Sequence, residues 1–213
     1  MLTLVTYPER MSTYERARAR TRTQLVAAGK QVMSDRGVEG TTIAEVAAQA
    51  NVSPGTFYNY FADVPALLDA VVDDVLAGFD TVLAEMATAA GPRASMPERF
   101  ARGVDALLRQ AEADPVWAWC MVRFEATVAK MRDALYDRVA ANIRAGIRSG
   151  DYATRVDSHV VADLLVGTLA MSTLSRLEGR TDASHNAAVA ELLLRALGLT
   201  PKRAEGVVAQ ALT

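Results

Sequence analysis

Three residues, Asn51-Val52-Ser53, separate two short segments with strong helix signals. Ahead of them, Thr42 opens "IAEVAAQA" as an N-cap, and Glu45 follows at the spacing of a capping box. Behind them, "PGTFYNYF" reads as one short helix. Two short helices joined by such a turn make a helix-turn-helix. The side chains suit that packing. Ile43, Val46, Ala47 and Ala50 share one face of the first helix, and the small Ala47 lets the second cross closely. Asn51 stands where the turn requires a left-handed residue, which asparagine tolerates. Val52 seals the turn, and Phe57 and Phe61, four apart, point inward.

The rest of the 213 residues obey the same helical grammar. A first helix is expected over 13–36, with Leu25, Ala28, Val32 and Met33 at helical spacing and Gly37 as terminator. Asp63 caps a long helix that tolerates Pro65 in its first turn and breaks at Gly91-Pro92. Further helices are expected near 97–113, 115–129, 131–149, 157–178, 183–197 and from Pro201 to about Leu212. No strand-like alternation, internal repeat or low-complexity segment occurs. The expectation is an all-α chain with three parts. Residues 1–12 form a disordered extension, 13–62 a helix-turn-helix domain, and 63–213 a second, larger helical domain.

Four of the 13 aromatic residues lie within 57–61. With Phe57 and Phe61 inward, Thr56, Tyr58, Asn59 and Tyr60 are left facing solvent. Ser53, Pro54, Gly55 and Thr56 form the start of the second short helix, where free backbone N–H groups attract phosphate and Gly55 permits close approach. This surface suits a DNA major groove, with tyrosine hydroxyls on phosphates and the helix start reaching bases. A plain helical hairpin with a tyrosine-rich surface fits the same pattern.

The stretch "TTIAEVAAQANVSPGTFYNYFADVPALLDAV" closely resembles the DNA-binding segment of the tetracycline-repressor (TetR) family. Thr41-Thr42, Ile43, Val46-Ala47, Gly55-Thr56, Phe57-Tyr58, Tyr60-Phe61 and Leu67-Leu68 carry the resemblance, which extends over about residues 13 to 75. It implies that Thr42 anchors a phosphate, that Ser53, Pro54, Gly55, Thr56 and Asn59 meet bases or groove, and that Tyr58 and Tyr60 meet phosphates. One position departs. Where the family usually places a phosphate-contacting lysine, this chain has Val64, followed by Pro65. One charge contact per subunit is therefore missing, which lowers affinity or its salt slope. The segment "ERARARTRT" offers Arg16, Arg18, Arg20 and Arg22 as compensation. Arg18 and Arg20 are the candidate contacts, along a phosphate backbone or into a minor groove. A solvated first helical turn is the alternative.

Beyond residue 75 no enzyme signature appears: no glycine-rich phosphate loop, no HExxH, no GxSxG and no cysteine cluster. His159 and His185 lack ligand spacing, so neither a metal nor any cofactor is expected. In "DPVWAWCMVRFEATVAKM", Trp117, Cys120, Met121, Phe124 and Val128 form an apolar stripe. The resemblance implies an effector cavity among the central helices. Candidate lining is Phe79, Leu83, Met86, Phe100, Val104, Leu107, Trp117, Cys120, Met121 and Phe124, and the expected ligand is a lipophilic molecule of moderate size. The same residues also suit an ordinary core. Cys120 reads as a buried small hydrophobe, with a redox sensor as the alternative.

The segment "VVADLLVGTLAMSTLSRL" mixes small residues with leucine and valine, and "AAVAELLLRAL" is apolar over a broad face. Two such helices from each of two subunits make a four-helix interface, and the resemblance implies the same. Leu164, Gly167, Thr168, Met171, Leu174, Leu192 and Leu193 are its candidates; packing within one monomer is the alternative. The expected partners are thus double-stranded operator DNA, a second copy of the chain and a small-molecule effector, with no membrane. The stretch "ADLLVGTLAMSTL" reads as too short and too interrupted to span a bilayer. The N-terminus shows no secretory signal, and Met11 offers a second start. Net charge is −2, split as +2 over 1–62 and −4 over the remainder. One cysteine fits a reducing, cytoplasmic setting. The overall expectation is a DNA-binding transcription regulator, a homodimeric repressor of a palindromic operator released by a lipophilic effector, and not an enzyme; the alternatives are a regulator controlled by a partner protein rather than a ligand, and a helical small-molecule-binding protein or enzyme without DNA function.

Overall fold

A computed structural model of the chain describes residues 12–90, 94–123, 125–182 and 184–212; within them, side chains at 83, 86, 87, 89, 90, 125–128, 130–135 and 138 lie outside the description. Ten helices and no strand occur among the described residues: α1 (Thr13–Arg36), α2 (Ile43–Gln49), α3 (Pro54–Tyr58), α4 (Val64–Ala90), α5 (Met96–Ala113), α6 (Pro115–Arg123), α7 (Glu125–Ser149), α8 (Ser158–Leu177), α9 (His185–Ala196) and α10 (Pro201–Ala211). The chain divides into two compact units at Val71–Val72, inside α4.

In the first unit, α1 begins where Ser12 accepts from the Glu15 backbone and Glu15 reaches back to the Ser12 N–H, a complete capping box. Residues 1–11, most of the expected disordered extension, lie outside the described residues. Gly37 ends α1 at φ 78°, and the Thr41 hydroxyl returns to its carbonyl at 2.9 Å. The core is Leu25, Val26, Val32, Met33, Val46, Ala47, Phe57, Phe61, Leu67 and Val71, all buried. A Cβ on Gly29 would stand 2.9 Å from Leu67, so α1 and α4 approach closely only because position 29 is glycine. Asn51 adopts φ 55°, and Val52 donates to the Ala47 carbonyl at 2.9 Å, which closes the turn between α2 and α3. α3 is shorter than the sequence suggested. It ends at Tyr58, and Asn59 and Tyr60 continue as a turn anchored on the Thr56 and Phe57 carbonyls.

In the second unit, α5, α7, α8, α9 and α10 enclose a core built around Leu108, Ile143, Leu165, Leu193, Leu194, Leu197 and Val208. A second capping box, Ser95 with Glu98, starts α5. The buried Asn186 bridges three helices. It donates to Asp105 on α5 at 2.8 Å and accepts from Arg176 on α8, whose guanidinium also pairs with Glu112. The α7–α8 connection folds back tightly: Asp151 and Tyr152 both donate to the Gly146 carbonyl. A Cβ on Gly146 would lie 2.1 Å from the Tyr152 ring, so glycine lets that ring lie flat on α7.

The expected helix over 115–129 and its stripe from Trp117 to Val128 run through residue 124, which lies outside the described residues. One expectation is corrected. The apolar stretch around 162–174 belongs to a helix of 20 residues, long and apolar enough by those two criteria to cross a bilayer. Gly167 and the Ser/Thr residues do not interrupt it. Its Val161, Ala162 and Leu165 are nevertheless buried in the unit's own core.

Candidate nucleic-acid interface and effector cavity

The first candidate site is the surface of α2, the turn and α3. Thr42, Ser53, Pro54, Gly55, Tyr58 and Asn59 are exposed, and Thr56 and Tyr60 are half-exposed. Ser53 caps α3 by accepting from the Thr56 N–H at 3.1 Å, and its hydroxyl lies 2.9 Å from that of Thr56. A Cβ built on Gly55 meets only Ser53 Oγ, at an ordinary 3.7 Å. The fold itself therefore does not require glycine there.

Thr42 is already engaged. It accepts from the Glu45 N–H at 3.3 Å and donates its hydroxyl to Glu45 Oε2 at 2.8 Å. The reciprocal leg of a capping box is thus replaced by a side-chain contact. Glu45 Oε1 meanwhile pairs with Arg36 at 2.8 Å. A phosphate reaching Thr42 has to turn that hydroxyl away from a carboxylate.

The arginine-rich segment is helix from Thr13 onward, not an extended arm, because the Ser12–Glu15 box starts α1 ahead of it. Residues two apart on a helix lie on different faces, so the alternating arginines split into two pairs. Arg18 and Arg22 flank Tyr60 in a shallow concavity with Glu15 and Ala19, and the Arg22 guanidinium lies 5.4 Å from the Phe61 ring centre. Arg16 and Arg20 occupy another face. The structure brings Arg18 and Tyr60 together and leaves Arg20 apart. The sequence singled out Arg18 and Arg20, whereas the structure groups Arg22 with Arg18, at i,i+4 on one face. Hydrogen bonds from the Ser12 backbone and hydroxyl hold the Glu15 carboxyl below the usual carboxylate range, so a fixed negative charge sits beside this basic pair. Asp63 caps α4 by accepting from the Ala66 N–H at 2.8 Å, and Val64 begins that helix without any charge.

The second candidate site is a cavity of about 240 Å³ in the second unit. α4, α5, α7 and α8 wall it, with Phe79, Phe100, Val104, Leu107, Ile143 and Leu165 among its apolar lining. A smaller void of about 70 Å³ shares Phe79 and Leu107 with it and is closed by Trp117 and Met121. Trp117 donates its indole N–H to the Val75 carbonyl of α4 at 2.9 Å. Of the expected lining, Phe79, Phe100, Val104, Leu107, Trp117 and Met121 therefore meet around two adjoining spaces. Cys120 is fully buried and lines neither. The Leu83 and Met86 side chains and all of Phe124 fall outside the described residues.

Sequence reasoning missed the α7 and α8 walls and the three polar lining residues, Arg99, Asn142 and Tyr152. Burial, with the Asp151 carboxylate as a lesser cause, pushes the Tyr152 phenol upward, so it stays a protonated donor. α8 was read only as an interface helix, yet its Leu165, Val166 and Leu169 face the cavity.

The outer face of α8 carries exposed Val160, Leu164 and Met171, the last two bordering a groove with Gly167 and Thr168, and Leu192 is exposed on α9. Leu174 is half-buried. Leu193 is a correction: it is fully buried in the unit's own core, because the α9 face that packs on α5 carries it one residue round from Leu192.

Comparison with known proteins matches both units. Residues 25–71 fit the family of bacterial regulatory proteins called the tetR family, and residues 96–210 fit the tetracyclin repressor-like C-terminal domain. The HTH-type transcriptional regulator BetI of Burkholderia thailandensis is 30% identical over 128 residues, 58% of this chain and 66% of that protein. The chain thus spans just under two thirds of such relatives. RolR, solved in complex with resorcinol, is 25% identical with a TM-score of 0.66, over 92% of this chain and 96% of that one. FadR of Bacillus subtilis, solved with stearoyl-CoA, has a TM-score of 0.68 at 18% identity, over 82% and 98%. Both matches fall on the helices just described, the N-terminal one on the helix-turn-helix and the other on the walls of the cavity; this chain belongs to the TetR family of transcriptional regulators, with a DNA-binding helix-turn-helix in its first unit.

Proposed function

We propose that the chain is a homodimeric repressor that holds a palindromic operator and leaves it when a mainly apolar small molecule fills the cavity of the second unit. The observation that carries this reading is the coexistence of an exposed helix-turn-helix surface with an apolar cavity of about 240 Å³ in one chain. Ser53, Pro54, Gly55, Thr56 and Asn59 meet the groove in this reading. Thr42, Tyr58, Tyr60, Arg18 and Arg22 meet phosphates. The exposed apolar side chains Val160, Leu164, Met171 and Leu192 support a four-helix interface between two copies of α8 and α9. Two heads then meet half-sites about 34–36 Å apart, one turn of the duplex. An effector that changes the separation of the heads weakens DNA binding, and DNA must weaken effector binding by the same factor. The resorcinol bound by RolR favours a ring-sized ligand. An apolar cavity of roughly 150 Å³ already holds benzene.

The test is fluorescence anisotropy on the duplex upstream of the chain's own gene, against a scrambled duplex, at two salt concentrations. Preference for the native duplex, weakening with salt, is expected. Equal weak affinity for both sinks the reading for that operator. Sedimentation at micromolar concentration gives the oligomeric state, and a monomer removes the palindrome argument.

A further inference from the structure

Three polar side chains border the cavity among the described residues. Among its described residues, Arg99 is the one charged group, and the other two hydrogen-bonding side chains are Asn142 and Tyr152. No carboxylate is among these described residues. The Tyr152 phenol is kept protonated by burial and adds a donor on the inner side. Arg99 and Asn142 are exposed, whereas Val104, Ile143, Tyr152 and Leu165 are buried, so the polar pair marks the solvent side of the cavity.

The helix geometry puts the two exposed residues at one end. The Ser149 hydroxyl of α7 lies 3.8 Å from Met96 Sδ at the start of α5. Arg99 is about one turn further along α5, and Asn142 about two turns back along α7. The Arg99 Nε–H is fixed on the Ala94 carbonyl at 3.0 Å, which anchors the guanidinium at the start of α5. A guanidinium favours a planar carboxylate, and an acid whose charge stays at a wetted rim avoids the cost of burying it.

We infer that the effector class is a small carboxylic acid, bound as its carboxylate, with an apolar body of about one ring in the depth of the cavity and its charged head at Arg99 and Asn142. This rests on the effector reading above and names the chemistry of that site. A cationic head at the same rim is repelled by the charge of Arg99.

The experiment uses three isosteres, phenylpropionate, phenylpropionamide and phenylpropylammonium, titrated into the full-length protein by calorimetry, with Trp117 fluorescence as a second signal. The acid is expected to bind at least tenfold tighter than the amide, and the ammonium most weakly. Arg99→Gln removes the advantage of acid over amide while leaving amide affinity within about twofold, and Arg99→Lys restores part of it. A thermal melt of each variant verifies folding. Equal binding of acid and amide, an acid preference that survives Arg99→Gln, or no binding of any of the three at millimolar concentration overturns the inference. Operator release is measured separately. An acid that binds as expected without releasing DNA sinks the repressor mechanism and leaves the ligand class standing.

Discussion

The two units solve opposite packing problems. The first closes a small core around Phe57, Leu25, Leu67 and Met33 with no room to spare, to the point that Gly29 cannot carry a methyl group without moving Leu67. The second surrounds an unfilled space with the residue types that elsewhere make its core. On the reading proposed above, a head that presents Ser53 to Asn59 at one fixed geometry gains from rigidity, and a chamber that admits a ligand gives up contacts that a filled core would make. Tight packing then serves recognition by shape in one unit, and vacancy serves it in the other.

The largest expected effect breaks this contrast at its tight end. Phe57→Ala removes the ring on which Phe61 and Tyr58 pack at 5.7 and 5.8 Å, and costs about 3–5 kcal/mol. Both tryptophans lie in the second unit, so chemical denaturation followed by tryptophan fluorescence and by total helicity tests independence. Helicity is expected to be lost first. A single shared transition would mean that the units unfold together. Within the second unit, Leu193→Ala, in filled core, is expected to cost about 2–5 kcal/mol. Leu169→Ala, on the cavity wall, costs about 1–2 kcal/mol, because its side chain is only half-buried. Equal costs by urea unfolding would show that the chamber is packed like core.

Why one unit was legible and the other only half so follows from these same residues. In the head, each position has a stereochemical signature: Asn51 for a left-handed backbone, Ala47 for a close crossing, Phe57 and Phe61 at i,i+4. Helix caps were equally readable, and Pro97, Pro115, Gly150, Gly179 and Pro201 sit at or beside the observed ends. The cavity has no such signature. Leu107 lines it while Leu108, next in sequence, is buried in the core, and no property of leucine distinguishes the two. Leu192 and Leu193 divide in the same way between exposed face and core. The polar lining was missed because Arg99, Asn142 and Tyr152 come from separate helices and one loop and converge only in three dimensions.

Two smaller effects sharpen the comparison. Val64→Lys supplies a charge at the first position of α4, and each added phosphate contact steepens the dependence of log affinity on log salt by about 0.9. Anisotropy over a salt series measures this; an unchanged slope would mean that position 64 does not reach the duplex. The smallest effect concerns the capping boxes, one in each unit. Bonds from Ser12 and from Ser95 lower the Glu15 and Glu98 carboxyls below the ordinary value of 4.5. A depressed folded-state value gives stability that is present above the unfolded-state value and is lost as pH falls through the folded one. Far-ultraviolet circular dichroism is therefore expected to show a slight fraying of α1 and α5 as pH falls below the ordinary carboxyl value of 4.5. The Ser12→Ala/Ser95→Ala variant should be frayed already at neutral pH and show less of this change.

The two indoles are arranged as a gauge with its own reference. Trp117 is buried at the smaller void with its N–H hooked to the Val75 carbonyl, so anything entering beside it alters both its surroundings and that bond. Trp119 is half-exposed, with the Arg123 guanidinium 3.8 Å from its ring centre and no part in either cavity. Filling of that void is expected to shift the emission of Trp117 while Trp119 holds a baseline, and Trp119→Phe would isolate the signal. On the effector reading proposed above, the chain would report its own ligand without any attached label.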